Sequence, residues 1–125
     1  MKELTKAEEH VMKVLWQIER GVVHDIIAKL PDPKPAYNTV STIVRILETK
    51  GFVDHKAYGK TYEYFSIIAK KDYSKFYLSN FMDGYFGGSF KNLVSFFAEE
   101  NELDINEINE LIALAKKDSK SDNHE

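Results

Sequence analysis

Three prolines in five residues, Pro31-Asp32-Pro33-Lys34-Pro35, set the first limit on how this chain folds. Proline fixes φ, lacks an amide hydrogen and drives the preceding residue out of the α region, so no helix runs through this stretch. It must be a stiff extended turn, and the helical patterns on either side of it are separate elements. Before it, Thr5-Lys6-Ala7-Glu8 fits a capping box, with Leu4 placed to staple the helix start. Ala7, Val11, Val14, Leu15 and Ile18 then recur at helical spacing, Met12 and Trp16 widen the stripe, and Gly21 is the expected stop. A short second helix is predicted over Val23–Leu30, with Ile26, Ile27 and Leu30 as its apolar side.

After the prolines, a third helix is predicted over Asn38–Lys50, closed by Gly51. Val40, Ile43, Val44 and Leu47 form its inner face. Its outer face carries Asn38, Ser41, Thr42, Arg45 and Thr49, with Glu48 as the acidic exception. A β-hairpin follows: Phe52–Ala57 and Thr61–Ile67 are β-branched and aromatic, and Tyr58-Gly59-Lys60 supplies the turn. From Lys71 the chain is helical again, with Tyr73, Phe76, Tyr77, Phe81 and Tyr85 at three- and four-residue spacing. Gly84, Gly87 and Gly88 interrupt the run, and Ser89 can cap a fifth helix bearing Phe90, Leu93, Val94, Phe96 and Phe97. Asp104-Ile105-Asn106-Glu107 opens a last helix with Ile105, Ile108, Leu111, Ile112 and Leu114.

The fold class expected is therefore mainly α with a small β-hairpin wing: a winged helix-turn-helix followed by a C-terminal helical dimerisation segment. The boundaries expected are 1–70 for the winged domain, 71–118 for the helical domain and 119–125 for a polar, loose tail. Charge follows the same division. Residues 1–71 carry 12 Lys/Arg against 9 Asp/Glu, and residues 72–125 carry 5 against 11, which hides a basic front half inside a formal net charge of −3. Steering toward phosphates depends on that local field.

A B-DNA major groove admits one α-helix, whose side chains read the base edges. The helix after the prolines has the buried side and the short polar outer side that such reading needs. Asn38, Ser41, Thr42 and Arg45 are the candidate DNA contacts on it, Arg45 foremost, and the preceding Tyr37 can meet backbone or a thymine methyl. Lys56 and Lys60 near the hairpin turn are candidate phosphate contacts, which position a protein without specifying the sequence. The rest of the chain needs a different partner. Eight aromatics between Phe76 and Phe97 exceed what short helices can bury alone, and a second copy of the chain is the economical cover. Tyr73, Phe76, Tyr77, Phe81, Tyr85, Phe90, Leu93, Val94, Phe97, Ile108, Leu111 and Ile112 are the candidate dimerisation residues.

Other chemistries find little support. The chain has no cysteine, and His10, His24, His55 and His124 are dispersed without ligand spacing. Gly84-Tyr85-Phe86-Gly87-Gly88 lacks the lysine and Ser/Thr of a phosphate loop, and the acidic run over 99–110 lacks the alternation and central glycine of a calcium loop. No catalytic residue, metal site or cofactor is expected. Glu3, Glu8, Glu9 and His10 among the apolar positions of 1–15 argue against a signal peptide and for a cytoplasmic protein, and no run is long enough to insert in a membrane. The other reading is an adaptor that uses a winged-helix scaffold for protein contacts without DNA. It is favoured if Arg45, Lys56 and Lys60 point away from a shared dimer face.

Four stretches, LTKAEEHVMKVLW at 4–16, YNTVSTIVRILETKGFVDHK at 37–56, YEYFSII at 62–68 and GGSFKNLVSFFAEENELDINEINEL at 87–111, make the chain resemble the penicillinase repressor family. The resemblance implies a homodimeric transcriptional repressor on a double-stranded DNA operator with dyad symmetry, controlling β-lactam resistance or related genes. It also implies relief of repression through a sensor-transducer protease pathway. Thr39 and Thr42 match threonines of the family's reading helix, which makes Thr39 a further candidate DNA contact by resemblance, and Gly51, Phe52, Asp54, His55 and Lys56 match its helix exit and first wing strand. Ser41 stands where family members commonly carry arginine, and Phe96-Phe97 where some are cleaved at Asn-Phe. A copper-responsive branch uses a C-terminal cysteine site that a chain with no cysteine cannot form.

Overall fold

The computed structural model describes residues 1–100 and 104–122, with side chains described as far as Leu114. The first helix, α1, spans Lys6–Ile18. It starts at the predicted capping box: Thr5 Oγ1 accepts from the Glu8 amide at 3.2 Å, and Glu8 Oε1 accepts from the Thr5 amide at 2.9 Å. At its far end Glu19 adopts a left-handed φ of 72°. Gly21, the expected stop, does not end the helix, which closes at Ile18 with Glu19 as its C-cap. Gly21 lies in a short strand, β1 (Arg20–Gly21), where an added Cβ would meet Ile18 Cδ1 at 2.8 Å and Asp25 Cβ at 3.0 Å. Two residues are too few to show an alternating pattern, so periodicity gave no sign of this strand.

Helix α2 covers Val23–Lys29, and the Asp25 carboxylate accepts from the Val22 amide at 3.1 Å at its start. Past the helix end, Lys34 donates to the carbonyls of Ala28 and Leu30 at 3.0 and 2.6 Å. A cation from the proline segment thus serves carbonyls that have no partner within the helix. Helix α3 spans Tyr37–Thr49, one residue earlier at each end than the sequence predicts. Strands β2 (Val53–Tyr58) and β3 (Thr61–Ser66) form an antiparallel hairpin from Val53↔Ser66 to Tyr58↔Thr61. Tyr58, read as a turn residue, is the last residue of β2. The loop is Gly59-Lys60 alone, with Gly59 at a φ of 64° in the position where a two-residue hairpin favours glycine. β1 adds to the free edge of β3, giving the order β1-β3-β2.

Helices α4 (Lys70–Tyr85), α5 (Phe90–Glu99) and α6 (Ile105–Asp122) complete the chain. Ser89 caps α5, its Oγ accepting from the Asn92 amide at 3.2 Å, and Asp104 caps α6, its Oδ1 accepting from the Glu107 amide at 2.8 Å. The polar stretch from 119, read as tail, continues α6 to Asp122. A cap at Asp104 and a run of good helix formers favour the helix regardless of polarity; residues 123–125 lie outside the described residues.

The chain divides into two compact units, Met1–Tyr77 and Leu78–Glu125. The first is the winged helix-turn-helix, closed around Val11, Met12, Leu15, Ile26, Val40, Val44, Leu47 and Phe52. Tyr73, near its end, belongs to that core. Its ring lies 5.5 Å from Phe52 and 6.1 Å from Trp16, and its hydroxyl accepts from the Leu4 amide at 2.9 Å. Among the described residues no helix is long and apolar enough to cross a membrane.

Candidate nucleic-acid interface

Helix α3 is pinned to the first unit by Val40, Val44 and Leu47, so the opposite side is what it can offer a partner. A partly buried ion pair fixes its end. Lys50 Nζ lies 2.6 Å from Glu8 Oε1, joining the last turn of α3 to the first turn of α1. Burial alone would raise the Glu8 carboxyl, but the Lys50 ammonium and the Thr5 amide outweigh it and hold the group below its ordinary range.

Between α3, the start of α2 and the hairpin lies a cleft of about 610 Å³. Tyr37, Ser41, Arg45 and Lys60, all candidates from the sequence, line it together. Arg45 is exposed, and its Nη2 donates to Ser41 Oγ at 2.9 Å. Ser41 is only 8% exposed, so its hydroxyl serves to hold Arg45 in the free protein. Thr42 is exposed on the neighbouring side, with Oγ1 donating to the Asn38 carbonyl at 2.9 Å. Asn38 is exposed too. Thr39 faces elsewhere: it lines a separate hollow with His10, Val11 and Pro31–Pro33 on the α1 side. Lys56, exposed on β2, lies outside the cleft with its Nζ 5.3 Å from the Tyr58 ring centroid. The structure therefore gathers four of the eight candidates into one concavity and distributes the others around it.

Several residues that the spacing argument passed over are also here. His24 lines the cleft and packs 4.9 Å from the Tyr37 ring. His55 Nδ1 pairs with Glu48 Oε1, which ties the first wing strand to the last turn of α3. The His55 ring stacks on Tyr62 at 4.2 Å, and Tyr64 beneath is buried. Burial, and then the Glu48 carboxylate, raise the Tyr64 phenol above its usual value. Periodicity cannot see a clasp whose halves belong to different elements. Lys2, ahead of the first helix, lies by Thr42, Arg45 and Thr49 and adds a cation to the outer face of α3.

Among the described residues, folding also brings together one group of side chains with metal-ligand chemistry that sequence spacing hides. Glu48, Asp54 and His55 offer three ligand atoms within 4.8 Å of one another. Each already has a protein partner, since Glu48 and His55 pair and Asp54 Oδ1 accepts from the His55 amide at 2.7 Å. The Glu48–His55 pair is the helix-to-wing clasp, and Asp54 bonds within its own strand.

The remaining candidates differ in their setting. Tyr73 is in the core, while Phe76 is half-buried and Tyr77 exposed in the first unit. In the second unit Phe81, Tyr85, Phe90, Phe97, Leu111 and Ile112 are exposed, and Leu93, Val94 and Ile108 are half-buried. Phe90, Val94, Ile108, Leu111 and Ile112 line an apolar hollow of about 330 Å³ between α5 and α6.

Several known proteins are similar to this chain. The penicillinase repressor family model matches residues 4–117. The methicillin resistance regulatory protein MecI of Staphylococcus aureus (strain N315) is 30% identical over 116 residues, covering 92% of this chain and 94% of that protein. The penicillinase repressor of Bacillus licheniformis is 27% identical over 116 residues, covering 92% of this chain and 91% of that protein. The solution structure of the DNA binding domain of the repressor BlaI superposes with a TM-score of 0.50 at 28% identity, covering 58% of this chain and 94% of that domain.

Proposed function

Because the chain belongs to the penicillinase repressor family, a family of winged helix-turn-helix DNA-binding regulators and not of enzymes, we propose that it is a homodimeric transcriptional repressor. It binds a dyad-symmetric operator with α3 in the major groove and the β2–β3 hairpin against flanking phosphates. The observation that carries this reading is the shared placement of Arg45, Tyr37 and Lys60 around one cleft between helix and wing. An adaptor lacking DNA would have no use for reading-helix and wing cations on a common face. Dimerisation draws on the second unit, where α5 has no buried residue and its apolar side chains need cover. Two linked copies would set two reading helices about one DNA turn apart and turn a weak contact into a bivalent one.

The regulated genes proposed are those of β-lactam resistance or related functions, by likeness to relatives named as methicillin resistance regulator and penicillinase repressor. The same reading takes derepression through a sensor-transducer protease pathway. Phe96-Phe97 stands on α5 with both rings exposed where the resemblance places Asn-Phe. A chain that stays intact in cells challenged with a β-lactam would remove that step.

Selection of bound duplexes from a random pool tests the DNA-reading function. One sequence should be enriched, and Arg45→Ala should then weaken it by about 1–3 kcal/mol while affecting random DNA far less. Lys60→Ala should weaken both similarly and lower the salt slope by about 1. Equal losses on selected and random DNA for Arg45→Ala would contradict a base-reading role.

A further inference from the structure

The outer face of α3 is less polar than its residue types suggest. Thr42 and Thr49 each carry a hydroxyl that could contact a base, yet both donors are already committed. Thr42 Oγ1 donates to the Asn38 carbonyl at 2.9 Å and Thr49 Oγ1 to the Arg45 carbonyl at 3.1 Å. Such back-bonding to the carbonyl four residues earlier leaves the Cγ2 methyl as the apolar group each threonine can offer. Between them stands Ile46, a β-branched apolar residue that is 40% exposed. Positions 42, 46 and 49 share one helix face. They line a shallow hollow of about 350 Å³ with Lys2, Arg45 and Lys50 around it.

An apolar strip beside cations calls for a partner that is anionic overall and carries an apolar group at the point of contact. In a B-DNA major groove that group is the C5-methyl of thymine. We infer that Thr42, Ile46 and Thr49 form a methyl-reading strip, so that α3 specifies thymine by apolar contact alongside any hydrogen bonds that Arg45 makes. The inference rests on the DNA-reading function proposed above and deepens it, because it names what part of the base is read and by which atoms. It also reverses the role suggested by threonine's chemistry at position 42, from hydrogen-bonding group to methyl donor.

Uracil differs from thymine only by that methyl. A duplex selected by the protein from a random pool is therefore resynthesised with uracil replacing thymine one position at a time, and affinities are measured by fluorescence anisotropy. Wild-type protein should lose about fourfold for each methyl that it contacts. Ile46→Ala should bind the thymine duplex more weakly by a similar factor and become indifferent to uracil at the position Ile46 meets. Thr42→Val, which keeps a methyl and loses the hydroxyl, should stay sensitive to uracil, whereas Thr42→Ser should lose that sensitivity at its own position. Equal affinity of the wild-type protein for every uracil duplex would overturn the methyl strip while leaving DNA reading intact. Variants Ile46→Ala and Thr42→Ser that each keep wild-type uracil sensitivity at every position would overturn it too, since the loss would then come from DNA shape or other residues. Failure to enrich any sequence would overturn the DNA-reading function and the inference with it.

Discussion

In Met1–Tyr77, Met12, Leu15, Ile26, Val40, Val44 and Leu47 expose no measurable surface. In Leu78–Glu125, Tyr85 is 77% exposed, Ile105 75% and Phe90 64%, and Met82 is the buried hydrophobic residue among those described. The first unit solves its burial problem with three helices, a small sheet and the N-terminal part of α4. The second has the same kinds of side chain but too few layers to hide them. A unit that closes on itself can hold a reading helix at fixed geometry. A unit that leaves its apolar faces open is suited to form its core with another copy of itself.

The sharpest way to break that comparison is to remove a large side chain from each unit. Phe52→Ala should cost about 3–5 kcal/mol and unfold the winged unit, read by chemical denaturation, because the ring is 1% exposed in a close-packed site. Leu111→Asp should leave the winged unit folded and instead raise the dimer dissociation constant at least about 100-fold, close to 3 kcal/mol. Wild-type protein would then sediment near twice the 14.4 kDa chain mass and the variant near that mass itself. A variant that stays dimeric would mean that the α5–α6 surface is not where copies meet.

Smaller effects sharpen the account of the first unit. Glu8→Ala removes a capping-box acceptor and leaves Lys50 without its carboxylate, and should cost about 2 kcal/mol. The Glu8 carboxyl is held below its ordinary range, so the pair contributes fully above that range and its contribution falls away as pH drops through the lowered value. Glu8→Gln should accordingly flatten the acid limb of the stability profile; an unchanged limb would show that the pair contributes nothing. Gly21→Ala should cost about 1 kcal/mol, since its Cβ would meet Ile18 and Asp25.

Much of the fold was legible because local chemistry decided it. The Thr5–Glu8 box, the proline break, the Ser89 and Asp104 caps and the Gly59 turn each act within a few residues, and each has its expected role in the structure. What escaped the sequence depends on contacts between elements. β1 is visible through its pairing with Tyr64 and Phe65, and Tyr73 reveals itself as core through Leu4, far away in sequence. At the candidate site, Arg45 and Lys60 stand on one concavity as their residue types suggested. Ser41 was read as an outward polar group, but α3 buries a face wide enough to include it. Ile46 is not legible as an outward residue, because an apolar residue on a helix is ordinarily assigned to the core, and only its exposure shows that it looks outward.

The central claim joins the closed unit to the open one: two reading heads, brought together by the second unit, act on one operator. Counting protein chains on the selected duplex by sedimentation tests it most directly. Two chains should bind each duplex, on two inverted half-sites about one helical turn apart. One chain bound to a single unrepeated site would contradict it.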